Sequence, residues 1–289
     1  MSGNPVHPQK WRDTCDPFCL PYHTFHPIEI IGYPHAGNDV FHARGILDGT
    51  QITAYIKAAR QTGADILNEV HILSQLPDPV FPNVIDAGFG NPPFSVTTAL
   101  PGQRLSSIVG NNETLLSLSY MEEYGAALGQ IHRMRPSASL QADRKFFHLP
   151  PKDLLEKLDL VYLTDFFANP PARSETVFCH GDFHYANLLW ENHHISGILD
   201  FELSGYGNRD FDIAWALFLR PGQEFLKTVE ERRLFLEGYG RYGTYDTYAI
   251  QYYMAQIYTH FLRFCADDAS YCAYVRAWLA AYAANEKLV

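Results

Sequence analysis

The sequence predicts an α+β chain, with a strand-rich first third followed by a mainly helical remainder. Three observations carry this. Short strand-like runs punctuated by Gly, Pro and Asn fill residues 28–99. Apolar residues recur at spacings of three and four from Glu113 onward. Set among those helices, Phe178–Glu202 (FCHGDFHYANLLWENHHISGILDFE) returns to short strands separated by polar loops.

Composition bounds the rest. At 289 residues the chain is long enough for one large domain or two lobes. Its 47% hydrophobic and 19% charged residues are those of an ordinary globular protein. A net charge of −10 argues against a nucleic-acid partner, which needs a basic face, and is compatible with a cationic small molecule. The cysteines (Cys15, Cys19, Cys179, Cys265, Cys272) form an odd, scattered set and a poor disulfide framework. Cys15 and Cys19 lack a second pair at zinc-ligand spacing. The stretch MSGNPVHPQKW has no apolar signal-peptide core, and no run of about 18 apolar residues occurs, so the expectation is a cytoplasmic chain without a membrane segment.

Taken in order, residues 1–26 read as an irregular arm rich in Pro, His and Cys. Ile28–Gly32, Asp39–Ile46 and Gln51–Ala58 read as an antiparallel meander, with Asp48-Gly49 as the two-residue hairpin signal before its last strand. The first turn, GYPHAGNDVF from Gly32 to Phe41, holds Gly37 and Asn38 and offers backbone amides to phosphate, a weak signal by itself. Thr62–Leu76 is a helix, with Ile66, Leu67, Val70, Leu73 and Leu76 on its apolar stripe. Glu69 lies beside that stripe, and Asp65 lies one turn earlier. Phe81–Phe89 and Pro93–Ala99 are two further strands, and Leu100-Pro101-Gly102 breaks the pattern. The expected division is therefore a first lobe at 1–99 and a second at 100–289, with a hinge near 98–102. Helices are expected over Leu115–Met134, Pro150–Phe167, Asp210–Leu219, Gln223–Tyr239, Asp246–Phe264 and Ala269–Glu286. The dense Tyr and Phe between Tyr242 and Phe264 read as helix core, with a substrate-pocket wall as the alternative.

Within the central stretch, strands at Thr176–Cys179, Leu188–Trp190 and Ile195–Leu199 bracket the loop His180–Asn187, and Asp200 directly follows the third. Rigid strands at the ends of a loop are what hold a few polar side chains in place for chemistry. Phosphoryl transfer asks for a carboxylate that positions the attacking hydroxyl and a metal held by hard oxygens. Asp182 suits the first role. Asn187 and Asp200 suit a Mg²⁺ that takes few ligands from protein.

HGDFHYAN followed by ILDFE resembles the paired signature of the aminoglycoside phosphotransferase/choline kinase family. The resemblance covers roughly Ile28–Leu219, is weak in 1–26 and carries no motif beyond about residue 220. It implies a two-lobed, protein-kinase-like fold that moves the γ-phosphoryl group of ATP, or alternatively GTP, with Mg²⁺ to a small-molecule hydroxyl. The acceptor it implies is aminoglycoside-, amino-alcohol- or sugar-like. Under the resemblance Lys57, in AYIKAA, is the phosphate-binding lysine, and Glu69 is its helix partner. Gly37 and Asn38 belong to the nucleotide-positioning loop. Thr98 and Leu100 belong to the hinge that holds adenine through backbone groups. His180 is structural, as is His132, and His184 takes the place of the family's second histidine. Asp212 braces the catalytic loop or stands as a helix N-terminal carboxylate favoured by the macrodipole. Glu202 supports the metal's surroundings or fixes its loop. The chain departs from the family pattern at Phe183, Tyr185 and Ala186, which lie between the chemical positions.

Two rival readings exist. His180, Asp182, His184, His193, His194 and Asp200 supply enough ligands for a zinc or iron hydrolase, a reading that leaves Lys57 and Asn187 unexplained. The other rival is a non-catalytic, nucleotide-binding pseudokinase module. Competent residues at Lys57, Asp182, Asn187 and Asp200 weigh against it.

Overall fold

A computed structural model describes residues 15–34, 37–60, 63–76, 78–172, 174–265 and 267–284. The chain forms two compact units. One takes the chain to Gly102 together with Ser196–Ser204, and the other takes Gln103–Ile195 and the chain from Gly205. The single boundary expected at 99–100 thus moves to 102–103, and 196–204 leaves the second lobe. The physical reason is where that segment finds its partners. The Ile198 N–H donates to the Val80 carbonyl at 2.9 Å, Ser196 Oγ donates to Pro101 at 2.7 Å, and the Asn68 amide donates to Glu202 and Ser204 carbonyls at 3.0 and 2.9 Å.

The first unit contains β1 (Phe25–Gly32), β2 (Asp39–Leu47), β3 (Thr50–Ala58), α1 (Ile66–Leu73), β4 (Val84–Gly88) and β5 (Phe94–Thr98). The strands form one antiparallel sheet in the order β1-β2-β3-β5-β4. Asp48 and Gly49 both have positive φ (48° and 77°), as a two-residue hairpin of native twist requires. Alternation along β3 buries Ala54, Ile56 and Ala58 against Phe25, Phe41, Phe94 and Val96. The same alternation turns Tyr55 and Lys57 to the opposite face.

Asp86 of β4, 6% exposed, accepts the N–H groups of His23, Thr24 and Phe25 at 2.8, 2.7 and 2.9 Å. Thr24 Oγ1 returns a bond to the Ile85 carbonyl at 2.6 Å. The opposite edges of the sheet are therefore tied together, and part of the stretch expected as an irregular arm is strand from Phe25. Residues 1–14 of that arm, His35 and Ala36 of the first turn, and Thr62 at the expected helix start lie outside the described residues. Helix α1 begins at Ile66 because the Asp65 side chain caps it, accepting from the Asn68 N–H at 2.9 Å.

The second unit contains α2 (Leu105–Val109), α3 (Leu118–Arg133), α4 (Lys152–Lys157), α5 (Thr164–Phe167), β6 (Thr176–Cys179), β7 (Leu188–Glu191), β8 (His194–Ile198, its last three residues counted with the first unit), β9 (Gly205–Asn208), α6 (Arg209–Leu217), α7 (Val229–Gly240), α8 (Thr247–Leu262) and α9 (Ala269–Ala283). Helices α3 and α7 approach so closely that a Cβ on Gly125 would stand 1.8 Å from the Phe235 carbonyl oxygen. A Cβ on Gly238 would stand 1.9 Å from that of Glu122. Strand β9, not expected from sequence, pairs antiparallel with β6.

The helix expected over Pro150–Phe167 is broken into α4, a 3₁₀ turn at Val161–Leu163 and α5. Asp159 takes a left-handed conformation (φ 56°), and the buried Leu154, Leu155, Leu160 and Leu163 do not share one helical stripe. Helix α7 starts six residues later than expected. Thr228 and Glu231 form a reciprocal capping box, while Gly222 and Leu226 at positive φ keep the preceding segment irregular. The last helix ends at Ala283, and Glu286 lies outside the described residues. Among these residues no helix is long and apolar enough to cross a membrane.

Candidate active site

In the first unit, one ammonium gathers three carboxylates. Lys57 Nζ lies 3.0 Å from Glu69 Oε2, 2.8 Å from Asp200 Oδ1 and 2.8 Å from Glu202 Oε2. The pairing strand places Lys57 opposite Val40 and Ser95, central in the sheet. Asp65, the other acidic candidate on the helix, is engaged in capping, so Glu69 is the partner. Burial alone would depress the Lys57 ammonium; Glu69, Asp200 and Glu202 outweigh it and hold the group well above the usual lysine range. Burial pushes the Glu69 carboxyl up, against the pull of Lys57. The Glu69 contact is an ion pair without hydrogen-bond geometry, since Oε2 has no hydrogen-bond partner.

Glu202 fixes this corner. Besides Lys57, its carboxylate accepts from Asn38 Nδ2 at 2.8 Å and from the Asp65 N–H at 3.0 Å. The sequence left two roles open for Glu202, and in this geometry its carboxylate ties Lys57, Asn38 and Asp65 together. It also shows how Asn38, 8% exposed, is engaged: its Oδ1 accepts the Arg60 N–H at 3.3 Å. Gly37 is exposed with φ 92°. Phe201, fully buried and edge-on to Phe81 at 5.4 Å, anchors the segment between the two acids. Asp200 itself has φ 69°, a left-handed conformation that a non-glycine residue adopts at a cost. Its side chain is 41% exposed.

In the second unit, Asp182 is surrounded by donors. Its Oδ1 accepts from the Trp215 indole N–H at 2.7 Å, and its Oδ2 accepts from Asn187 Nδ2 at 3.3 Å. His184 Nε2 lies 3.5 Å from Oδ2. Burial works against the charged form, but the hydrogen bond and charge of His184, then Arg220 and Trp215, hold the carboxyl well below the usual range. Its side chain is 24% exposed, so an ionised oxygen remains within reach of a ligand. Asn187 Nδ2 also donates to the Asp182 carbonyl at 2.9 Å, which leaves the amide oxygen as the free end. His184 Nδ1 accepts the Ala186 N–H at 3.2 Å and shapes the turn between the two.

Asp212 braces the loop from below. Its Oδ2 accepts the His180 N–H at 3.0 Å and lies 3.1 Å from His132 Nε2, and its Oδ1 accepts the Gly181 N–H at 3.0 Å. His180, fully buried, in turn accepts the Asp182 N–H on Nδ1 at 3.3 Å. His132 carries the chain onward to Tyr239 Oη at 2.8 Å.

Other expected residues fall differently. Thr98 donates its N–H to the Asn83 carbonyl and accepts the Asn83 N–H on its hydroxyl oxygen, both at 2.9 Å, so its backbone donor is already used beside the sheet. Leu100 follows it, half-buried. The rival hydrolase ligand set is not assembled. His193 stacks on Tyr120 at 4.8 Å, His194 is exposed beside Glu123, and the one close His/Cys/Asp group among the described residues is His132, Cys179 and Asp212. Sequence reading missed Trp215 and Asn68. The signal for Trp215 was its spacing, since it stands three residues after Asp212 on the same face of α6.

The chain matches the model of the phosphotransferase enzyme family over residues 55–249. No curated protein matches its sequence. Among solved structures it is similar to the amicoumacin kinase hAmiN, solved with AMP-PNP, Ca²⁺ and Ami, at 15% identity and a TM-score of 0.59, covering 93% of this chain and 92% of that one. It is similar to the aminoglycoside phosphotransferase APH(4)-Ia at 12% identity and 0.59, covering 91% and 94%. A choline kinase from Cryptosporidium parvum Iowa II gives 15% and 0.56, covering 95% and 90%. At these identities the likeness shows a protein-kinase-like fold.

Proposed function

The chain belongs to the phosphotransferase enzyme family, as a small-molecule kinase, and on that premise we propose that it moves the γ-phosphoryl group of ATP to a hydroxyl of a small organic acceptor. The observation that carries the nucleotide half is the Lys57 cluster, a cation held charged between a helix glutamate and the exposed carboxylate of Asp200. One lysine among three carboxylates leaves an excess of negative charge, which suits a divalent cation arriving with phosphates. AMP-PNP and ADP in structurally similar proteins support a nucleoside triphosphate as donor.

The residues fit Mg²⁺ by donor chemistry. Asp200 offers a carboxylate oxygen, and Asn187 offers a neutral amide oxygen whose nitrogen is already engaged. Such an ion, when bound, neutralises charge on the transferring phosphoryl group. The chain's own residues do the rest. Lys57 meets phosphate oxygens and is kept charged by Glu69. Asp182, ionised and aligned by Trp215 and Asn187, accepts the proton of the acceptor hydroxyl as the new bond forms. Asp212 fixes the backbone that carries it.

A nucleotide-consumption assay over amino sugars, amino alcohols and sugars tests the reading. Asp182→Asn should lower kcat by about 10²- to 10⁴-fold while nucleotide affinity stays within a few-fold. Wild-type activity in that variant would remove Asp182 as the base. Asp200→Ala should weaken Mg²⁺-nucleotide binding by at least about tenfold, and unchanged affinity would remove it from the metal site.

A further inference from the structure

Two arginines flank the ring that holds Asp182, and two further cations lie on the aromatic side chains beyond it. The Arg144 guanidinium carbon lies 5.1 Å from the Trp215 ring centre and 4.7 Å from that of Phe147. That of Arg220 lies 5.6 Å from Trp215 and 4.1 Å from Phe218. One ring further out, Phe146 packs on Trp215 at 5.2 Å and is covered by Lys145 Nζ at 4.8 Å. Lys145 also lies 4.2 Å, and Arg263 4.4 Å, from the ring of Phe264. Lys145, Arg263 and Phe264 are exposed, while Arg144 and Arg220 are half-buried.

None of these four cations has a carboxylate at ion-pair distance among the described residues, in contrast with Arg44, Arg60, Lys152, Arg209, Lys227, Arg233 and Arg241. Two acids nearby are already used. Asp212 is saturated by His180, Gly181 and His132, and Asp143 is bonded to His148 at 2.8 Å. Only Asp182 pulls on both arginines through space, and it is the proposed base. In a chain of net charge −10, collecting like charges without acids raises Coulomb energy that an anion would offset. The aromatic faces that would receive an ammonium are already covered by the chain's own cations.

We infer that the acceptor carries a negative charge, a carboxylate or phosphate, beside the hydroxyl that is phosphorylated. The inference rests on Asp182 being the base at which that hydroxyl docks. It runs against the lean towards a cationic acceptor that the whole-chain charge suggests.

The test is a matched set sharing one hydroxylated skeleton: glucuronate, glucose 6-phosphate, glucose and glucosamine. Turnover and calorimetric binding are read separately, on wild type and on the exposed double variant Lys145→Glu with Arg263→Glu. Wild type should favour an anionic member, with glucuronate against glucose 6-phosphate telling carboxylate from phosphate. In the double variant KM or Kd for that member should rise about tenfold with kcat within about twofold, and glucosamine should gain. Preference for glucosamine, no discrimination by charge in either readout, or discrimination that survives the reversal overturns the inference. Charge-selective binding that the reversal abolishes, with no turnover of any acceptor, would count against the kinase reading and leave the anion subsite standing.

Discussion

Asp182 is a carboxylate whose surroundings favour its charge at every oxygen: an indole N–H, an amide N–H and an imidazole on one side, arginines beyond. Its value in the folded chain lies below that in the unfolded chain. Its contribution to stability is therefore fully present above the unfolded carboxylate value of about 4 and is lost as pH falls from there through the folded value. Urea unfolding should show the stability difference between wild type and Asp182→Asn shrinking from about pH 5 to about pH 3. A difference independent of pH would mean that ionised Asp182 is not its source. The acid limb of activity should likewise be set by another group. At this scale the sequence was informative where chemistry dictates residue type. Asp182, Asn187 and Asp200 could be singled out because the proposed roles, a base and hard metal ligands, admit few substitutes. Trp215 was harder to read, because its spacing from Asp212 places it on the right face of α6 but only the fold brings its N–H to Asp182. Glu202 was ambiguous for the same reason: its three partners come from β2, β3 and the start of α1 or the residues flanking them.

Elements whose period is fixed by one buried face were readable, and those ended by backbone geometry were not. The meander through Ala58 and helix α3 follow from alternation and a three-four stripe. The break inside 150–167 turns on Asp159 at positive φ, and the late start of α7 on the Thr228–Glu231 box. The crossing of α3 and α7 makes a sharper claim about side-chain size. Gly125→Ala or Gly238→Ala should each destabilise by about 3 kcal/mol in chemical denaturation, since the added carbon meets backbone rather than a movable side chain. Gly240→Ala, whose added carbon would meet only Tyr245 at 3.8 Å, should be neutral or slightly stabilising. Equal effects at all three positions would show that the close approach does not govern this crossing.

For the whole molecule, family membership and local charge say different things, and both are needed. The family names the reaction, and the net charge of −10 is silent about the surroundings of Asp182. Ligand linkage gives a check that needs no acceptor. At a hundredfold excess over Kd, Mg²⁺ with AMP-PNP should stabilise the chain by about 2.7 kcal/mol, read as a rise in Tm that EDTA largely removes. A rise indifferent to EDTA would place the nucleotide away from Asp200. The return of 196–204 to the first unit was the least legible property, because it depends on bonds to Val80 and Asn68 rather than on chain order. The same economy of bonding acts at Asp86. An open sheet leaves two edges on which a stray strand can add, and such edges seed domain swapping and fibrous aggregation. Here the N–H groups of residues 23–25 are taken by the Asp86 carboxylate, and the Ile85 carbonyl by the Thr24 hydroxyl. Asp86 and Thr24 thereby withdraw part of both edges from pairing with a second chain.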